Sequence, residues 1–174
     1  PVPMTHKSVN KQHQFDVLII GTGSAGLMNA LQLSKHLSVA LIAKDKVLEG
    51  SSFYAQGGIS AVLDAHDNFD SHVADTLATA AGLAEKTAVK FMVENAPAAI
   101  ASLERSGVRF TQDSDHYHLT TEGGHTHRRV AHVADKTGQS IQINLLDNVK
   151  QCDNITLFEN YIAIDLLIQK KQCC

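Results

Sequence analysis

Three glycines, Gly21, Gly23 and Gly26, stand directly after the apolar run FDVLII, Phe15 to Ile20. The run is short and rich in β-branched residues, as a buried parallel strand should be. Apolar positions Leu27, Ala30, Leu31 and Leu33 follow at helical spacing and predict a helix over residues 22–36. VALIA, Val39 to Ala43, reads as the next strand. Strand, glycine turn, helix and strand make one βαβ unit with a right-handed crossover. GxGxxG at that place is the dinucleotide fingerprint. Gly21 permits the turn, Gly23 lets a diphosphate approach the backbone, and Gly26 lets the helix lie close to the sheet. The free N–H groups near Ser24 and Ala25 would face the phosphates, where the helix dipole also favours negative charge.

The place of the acid that would hold ribose hydroxyls has Ala43 and Lys44, with Asp45 one step late. Either Asp45 turns inward or Lys44 takes that role. The missing acid weakens a nicotinamide dinucleotide and does not by itself select a flavin.

Composition narrows the class. The 174 residues carry 15 Lys plus Arg and 18 Asp plus Glu, a formal charge of -3, with six Phe, three Tyr and no Trp. Such a chain is poorly suited to gripping nucleic acid by charge or stacking. No run approaches the roughly 18 apolar residues of a membrane span. The start, PVPMTHKSVNKQHQ, lacks the apolar stretch of a signal peptide. The odd set Cys152, Cys173 and Cys174 argues against a disulfide framework. The terminal Cys-Cys has no GxxxxGK[ST] loop elsewhere that would mark a prenylated GTPase. The sequence reads as a soluble, cytoplasmic, mixed α/β chain: a leader over 1–14, one ordered body over 15–168, and a tail over 169–174.

Further helices are predicted over 70–81, over 87–105 with Pro97 kinking or restarting it, and around Ile141, Leu145, Leu146 and Val149. Gly107 is placed as a C-terminal cap. Residues 111–132 are polar and histidine-rich without a clear period. Residues 155–159 and 161–168 read as two more strands. Between the βαβ unit and the first of these helices, EGSSFYAQGG is dense in small and hydrogen-bonding residues, and Gly57 and Gly58 allow close backbone approach.

The segments DVLIIGTGSAGL, EGSSFYAQGGISAV, DSHVADTLATAAGL, HLTTEGGHTHRRV and ADKTGQSI occur in the order found in the L-aspartate oxidases. The chain resembles that family, within the flavoprotein group of succinate dehydrogenase and fumarate reductase, over about residues 15–168. The resemblance implies a Rossmann-like FAD-binding domain, incomplete in this chain. Family members are much longer, so the capping domain, the catalytic base and the rest of the flavin fold are expected beyond residue 174. No catalytic residue is assigned within it, and the chain alone is expected to be inactive.

Carried over by motif, FAD would touch Gly21, Thr22, Gly23, Ser24, Ala25 and Gly26 at the diphosphate and Lys44 near the ribose. Ser51, Ser52, Phe53, Tyr54, Ala55, Gln56, Gly57 and Gly58 would follow along the flavin, and Ile162, on a late strand, would offer backbone to the adenine. Ser51 stands where membrane-bound succinate dehydrogenases have a flavin-linked histidine, which implies non-covalent FAD. Thr121 replaces a frequent arginine.

Glu122 is the acid that the resemblance puts beside the substrate ammonium; the alternative is a loop carboxylate paired with Arg128 or Arg129. The implied substrate is L-aspartate, with oxygen or fumarate as acceptor and quinolinate synthase downstream. His116, His118, His125, His127 and His132 are half of the ten histidines. They show no HExxH or paired-cysteine pattern, so no metal is assigned. Rival readings are a soluble fumarate reductase or succinate-oxidising flavoprotein, a non-catalytic remnant of the fold, and a nicotinamide-dependent dehydrogenase.

Overall fold

The computed structural model describes residues 12–169 and the backbone of Gln172 and Cys173. Most of the leader, residues 1–11, and the side chains of Cys173 and Cys174 lie outside the described residues. Cys152 is half-buried and free.

The chain forms β1 (Val17–Ile20), α1 (Ser24–Leu33), β2 (Val39–Ala43), α2 (Ser51–Tyr54), β3 (Ile59–Ser60), α3 (Phe69–Thr79) and α4 (Lys86–Arg105). There follow β4 (Gln112–Asp113), β5 (His116–Tyr117), β6 (Leu119–Thr120), β7 (Val130–Ala131), α5 (Thr137–Lys150), β8 (Ile155–Glu159), β9 (Ile168–Gln169) and β10 (Gln172–Cys173). The principal sheet is parallel in the order β1-β2-β8, with Val17 opposite Val39 and Val39 opposite Ile155. Its alternation puts Val17, Ile19, Val39, Leu41, Ile155 and Leu157 in the core with Leu27 and Ala30 of α1 and Leu145 and Val149 of α5. On the opposite face of β1, Leu18 and Ile20 stay 43% and 55% exposed.

The βαβ unit stands where the glycine spacing puts it, though α1 is shorter than 22–36. Gly23 is extended at its start, and the Ser34 hydroxyl donates to the Leu31 carbonyl at its end. The 70–81 helix is α3, capped by the Asn68 side chain accepting from the Ser71 N–H at 2.8 Å. Gly107 caps α4 as expected. At φ +103°, its N–H reaches the Glu104 carbonyl and that of Val108 the Leu103 carbonyl, a Schellman motif.

Two expectations are corrected. Pro97 does not restart α4, which runs unbroken over 20 residues. Residues 111–132, where no period shows in the sequence, hold β4 to β7, each only two residues long and too short for a period to register. Residues 161–167 form no strand. After Tyr161 N–H reaches the Ala43 carbonyl, the run has no sheet partner among the described residues, and Ile164 is 96% exposed. Only Ile168–Gln169 pairs, antiparallel with Gln172–Cys173.

Candidate cofactor and substrate site

The glycine turn is built as the fingerprint requires. Gly21 sits at φ +112°, a conformation side chains rarely adopt. A methyl at Gly26 would collide with the Gly21 carbonyl. Gly23 has no side chain to cap α1; the Ser24 N–H donates to the Ser52 hydroxyl at 3.4 Å, and the N–H groups of Ala25 and Gly26 stand at the open helix start. The Thr22 carbonyl accepts from the Gln142 side-chain amide at 3.3 Å, and the Thr22 hydroxyl donates to the Val47 carbonyl. Gln142 is fully buried, and its Oε1 has no partner among the described residues.

The EGSSFYAQGG block is not loop throughout, since Ser51 opens the short helix α2. α5 presses on it so closely that a methyl at Gly138 would strike the Ser52 carbonyl and come 2.7 Å from that of Ala55. Gly138 N–H in turn donates to the Ala55 carbonyl at 2.9 Å. The ADKTG segment therefore fixes the block against the glycine turn.

A three-stranded antiparallel sheet, β3-β7-β6, joins the two halves of the site. β3 carries on from AQGG, while β6 and β7 flank TEGGHTHRR. Ile59 pairs with Ala131 and Thr120 with Val130. The turn at the end of that hairpin brings Glu122 to Gly57. A methyl on Gly57 would lie 2.8 Å from Glu122 Oε1. A cavity of about 690 Å³ runs past Ser24, Ser52, Gly57, Gly58 and Glu122. A second, of about 880 Å³, lies on the other side of Glu122 with His72, Thr76 and His125 in its wall.

Other expected contacts fall outside that pair of cavities. Phe53 and Tyr54 stack edge-on and face Lys46 and Glu49, with the Tyr54 hydroxyl donating to Glu49 at 3.0 Å. Gln56 lies in a separate depression beside Lys136. Lys44 is exposed at the end of β2, and Asp45 accepts from the Lys46 N–H rather than turning inward. Ile162 is exposed just beyond Tyr161, whose N–H bonds to β2. It is not on a strand.

The pairing of Glu122 with an arginine is not found. Arg129, fully buried, is forked onto Asp67 through Nε at 3.0 Å and Nη2 at 2.9 Å, with Nη1 2.9 Å from Asp75. Arg128 Nε donates to the Leu119 carbonyl. Among the described residues Glu122 makes no ion pair. Burial alone would raise the Asp75 carboxyl. The N–H and hydroxyl of Thr126, together with Arg129, outweigh burial and hold it below the usual range. This network ties the hairpin turn to α3. It involves Asp67 and Asp75, which the sequence did not single out, because Asp67 precedes α3 and the arginine that joins the two acids comes from β7's flank, 54 and 62 residues away.

The histidines are dispersed. His118 and His132 share a hydrogen bond of 2.8 Å, His127 lies 3.6 Å from Asp67, and His125 meets His72 edge-on. Burial, then Arg129, pushes the His72 imidazole down from its ordinary value.

A helix start with the N–H groups of Ala25 and Gly26 free behind a GxGxxG turn, beside a cavity whose wall includes Ser24, Ala25, Ser52, Gly57 and Gly58, fits the diphosphate and ring system of a flavin dinucleotide. Residues 16–174 match the family described as FAD binding domain. The chain belongs to that family. As an FAD-binding domain it is 46% identical over 165 residues to an L-aspartate oxidase of Acinetobacter baylyi, a match over 94% of the chain and 30% of the relative. It is 49% identical over 160 residues to "L-aspartate oxidase 1" of Ralstonia nicotianae, over 90% of the chain and 30% of the relative. The domain thus spans about 30% of the length of these curated relatives. An E. coli quinol fumarate reductase superposes with a TM-score of 0.85 at 30% identity, over 92% of this chain and 28% of that one. Among the described residues no helix is long and apolar enough to cross a membrane.

Proposed function

We propose that this FAD-binding domain serves an L-aspartate oxidase: oxidation of L-aspartate to iminoaspartate, with oxygen or fumarate as acceptor, in a cytoplasmic enzyme that feeds quinolinate synthase in NAD biosynthesis. The single observation that carries the reading is Glu122, a carboxylate without an ion-pair partner among the described residues, held against the loop at Gly57. A dicarboxylate needs cations for its two acids and an anion only if its ammonium is to be recognised. Glu122 is that anion.

The bound flavin would accept the two electrons leaving the substrate. The Ser24, Ala25 and Gly26 N–H groups hold the diphosphate, and residues 51–58 flank the ring system by backbone and small side chains. Ser51 offers a hydroxyl where a histidyl link would otherwise form, so attachment is non-covalent. Lys44 lies on the ribose side and the backbone near Ile162 on the adenine side. The base and the ligands of the two carboxylates are supplied from outside this chain, and the chain alone is inactive.

The likeness to a quinol fumarate reductase favours a second reading, a soluble fumarate reductase, in which Glu122 would have no ammonium to meet. Steady-state kinetics of Glu122→Gln in a full-length flavoprotein carrying these residues separates the two. We expect aspartate kcat/KM to fall while fumarate reduction and flavin content persist. Unchanged aspartate kcat/KM would discard the aspartate oxidase reading.

A further inference from the structure

The turn that carries Glu122 is closed twice. The His125 N–H donates to the Glu122 carbonyl at 3.1 Å, and the Glu122 N–H donates back to His125 Nδ1 at 3.2 Å. A ring nitrogen that accepts a hydrogen bond carries no proton, so the imidazole proton sits on Nε2. Nε2 lies 3.4 Å from the Ser60 hydroxyl on β3 and serves as its donor. The ring also meets the buried His72 of α3 at 6.0 Å between centroids and 87° between planes. One side chain thereby links the Glu122 turn, the strand that continues AQGG, and the helix that packs beneath both.

We infer that His125 is a positioning residue for Glu122. It holds the turn so that the carboxylate stands at Gly57, and it thereby sets the preference for an amino dicarboxylate over the same diacid without its amino group. The hairpin strands β6 and β7 fix the base of the turn, but residues 122–125 are exposed or half-buried. The Thr126 N–H and hydroxyl tie the far end of the turn to Asp75, and the paired contacts of His125 hold the Glu122 N–H and carbonyl themselves. The inference rests on the reading of Glu122 as the ammonium partner.

The test uses two substitutions in the full-length flavoprotein and a control. His125→Phe keeps the ring volume and removes the acceptor; His125→Asn replaces Nδ1 by an amide oxygen at similar reach. The expected result for His125→Phe is a rise in KM for aspartate of about tenfold, with KM for fumarate and the flavin absorbance unchanged. His125→Asn restores most of the aspartate KM. In the present chain, long-range proton–nitrogen NMR should show a bare Nδ1. The Glu122 amide resonance should move in the Phe variant and return in the Asn variant. An unchanged aspartate KM in His125→Phe, or equal rises for aspartate and fumarate, would overturn the positioning role. Glu122→Gln is the control. If it leaves aspartate KM unchanged, the parent reading fails and the specificity role falls with it. If it raises KM while His125→Phe does not, only the positioning inference fails.

Discussion

The Glu122 carboxylate stands so close to the Gly57 backbone that a methyl there would come 2.8 Å from Oε1. This pair joins two segments 65 residues apart, the loop after α2 and the hairpin turn. Because the crowding atom is the end of a flexible side chain, Gly57→Ala should leave the fold nearly intact, within about 0.5 kcal/mol by urea unfolding. It should nevertheless displace the carboxylate. In a full-length enzyme, aspartate KM should rise several-fold with the flavin spectrum retained, and Glu122→Gln should add little on top of it.

Gly138 makes the contrasting case. Its neighbours are the Ser52 and Ala55 carbonyls, which are backbone and cannot swing aside. Gly138→Ala should cost at least about 1–3 kcal/mol in urea unfolding, as overpacking does. Gly50→Ala, where nothing lies within 4 Å, serves as the neutral comparison. Equal stabilities of the two variants would contradict the close docking of α5 on residues 52–55.

Gln142 anchors α5 to the glycine turn at Thr22. Gln142→Leu leaves the Thr22 carbonyl without that donor, at about 1–3 kcal/mol for a buried unpaired group. FAD affinity, followed by flavin fluorescence quenching in the full-length protein, should weaken several-fold. An unchanged affinity would show that the turn keeps its shape without this amide.

His72 gives a pH signature. Burial and Arg129 lower its folded pKa beneath the unfolded value of 6.5, so the unfolded chain binds more protons between the two. Stability is fully present above pH 6.5 and declines as pH falls from there through the folded pKa. The Asp75 carboxyl, also lowered, adds a second loss only below its ordinary value of 3.8. Urea midpoints between pH 7.5 and 5 should drop for the parent chain, and His72→Phe should flatten that slope. An unaltered slope would remove His72 as its source.

Much of this was legible because motif and element coincide. The GxGxxG turn, the apolar FDVLII and VALIA runs and the helical spacing of α5 each fix a local structure that the parallel sheet then uses. The short strands β3, β6 and β7 were not legible, since two residues cannot show alternation and their pairing joins residues far apart. The Arg129–Asp67–Asp75 network and the buried Gln142 were missed for a related reason: each is made by tertiary packing of residues whose spacing carries no period. Residues 161–167 show the reverse error, an apolar run that looks like a strand but has no partner to pair with.

The most direct measurement is a crystal structure of FAD bound to the complete polypeptide. We expect the diphosphate within hydrogen-bond distance of the Ser24 and Ala25 N–H groups, with the ring system along residues 51–58 and Glu122 at its edge. FAD lodged elsewhere, or a Gly21–Gly26 turn that holds no phosphate in a flavin-loaded crystal, would contradict the account.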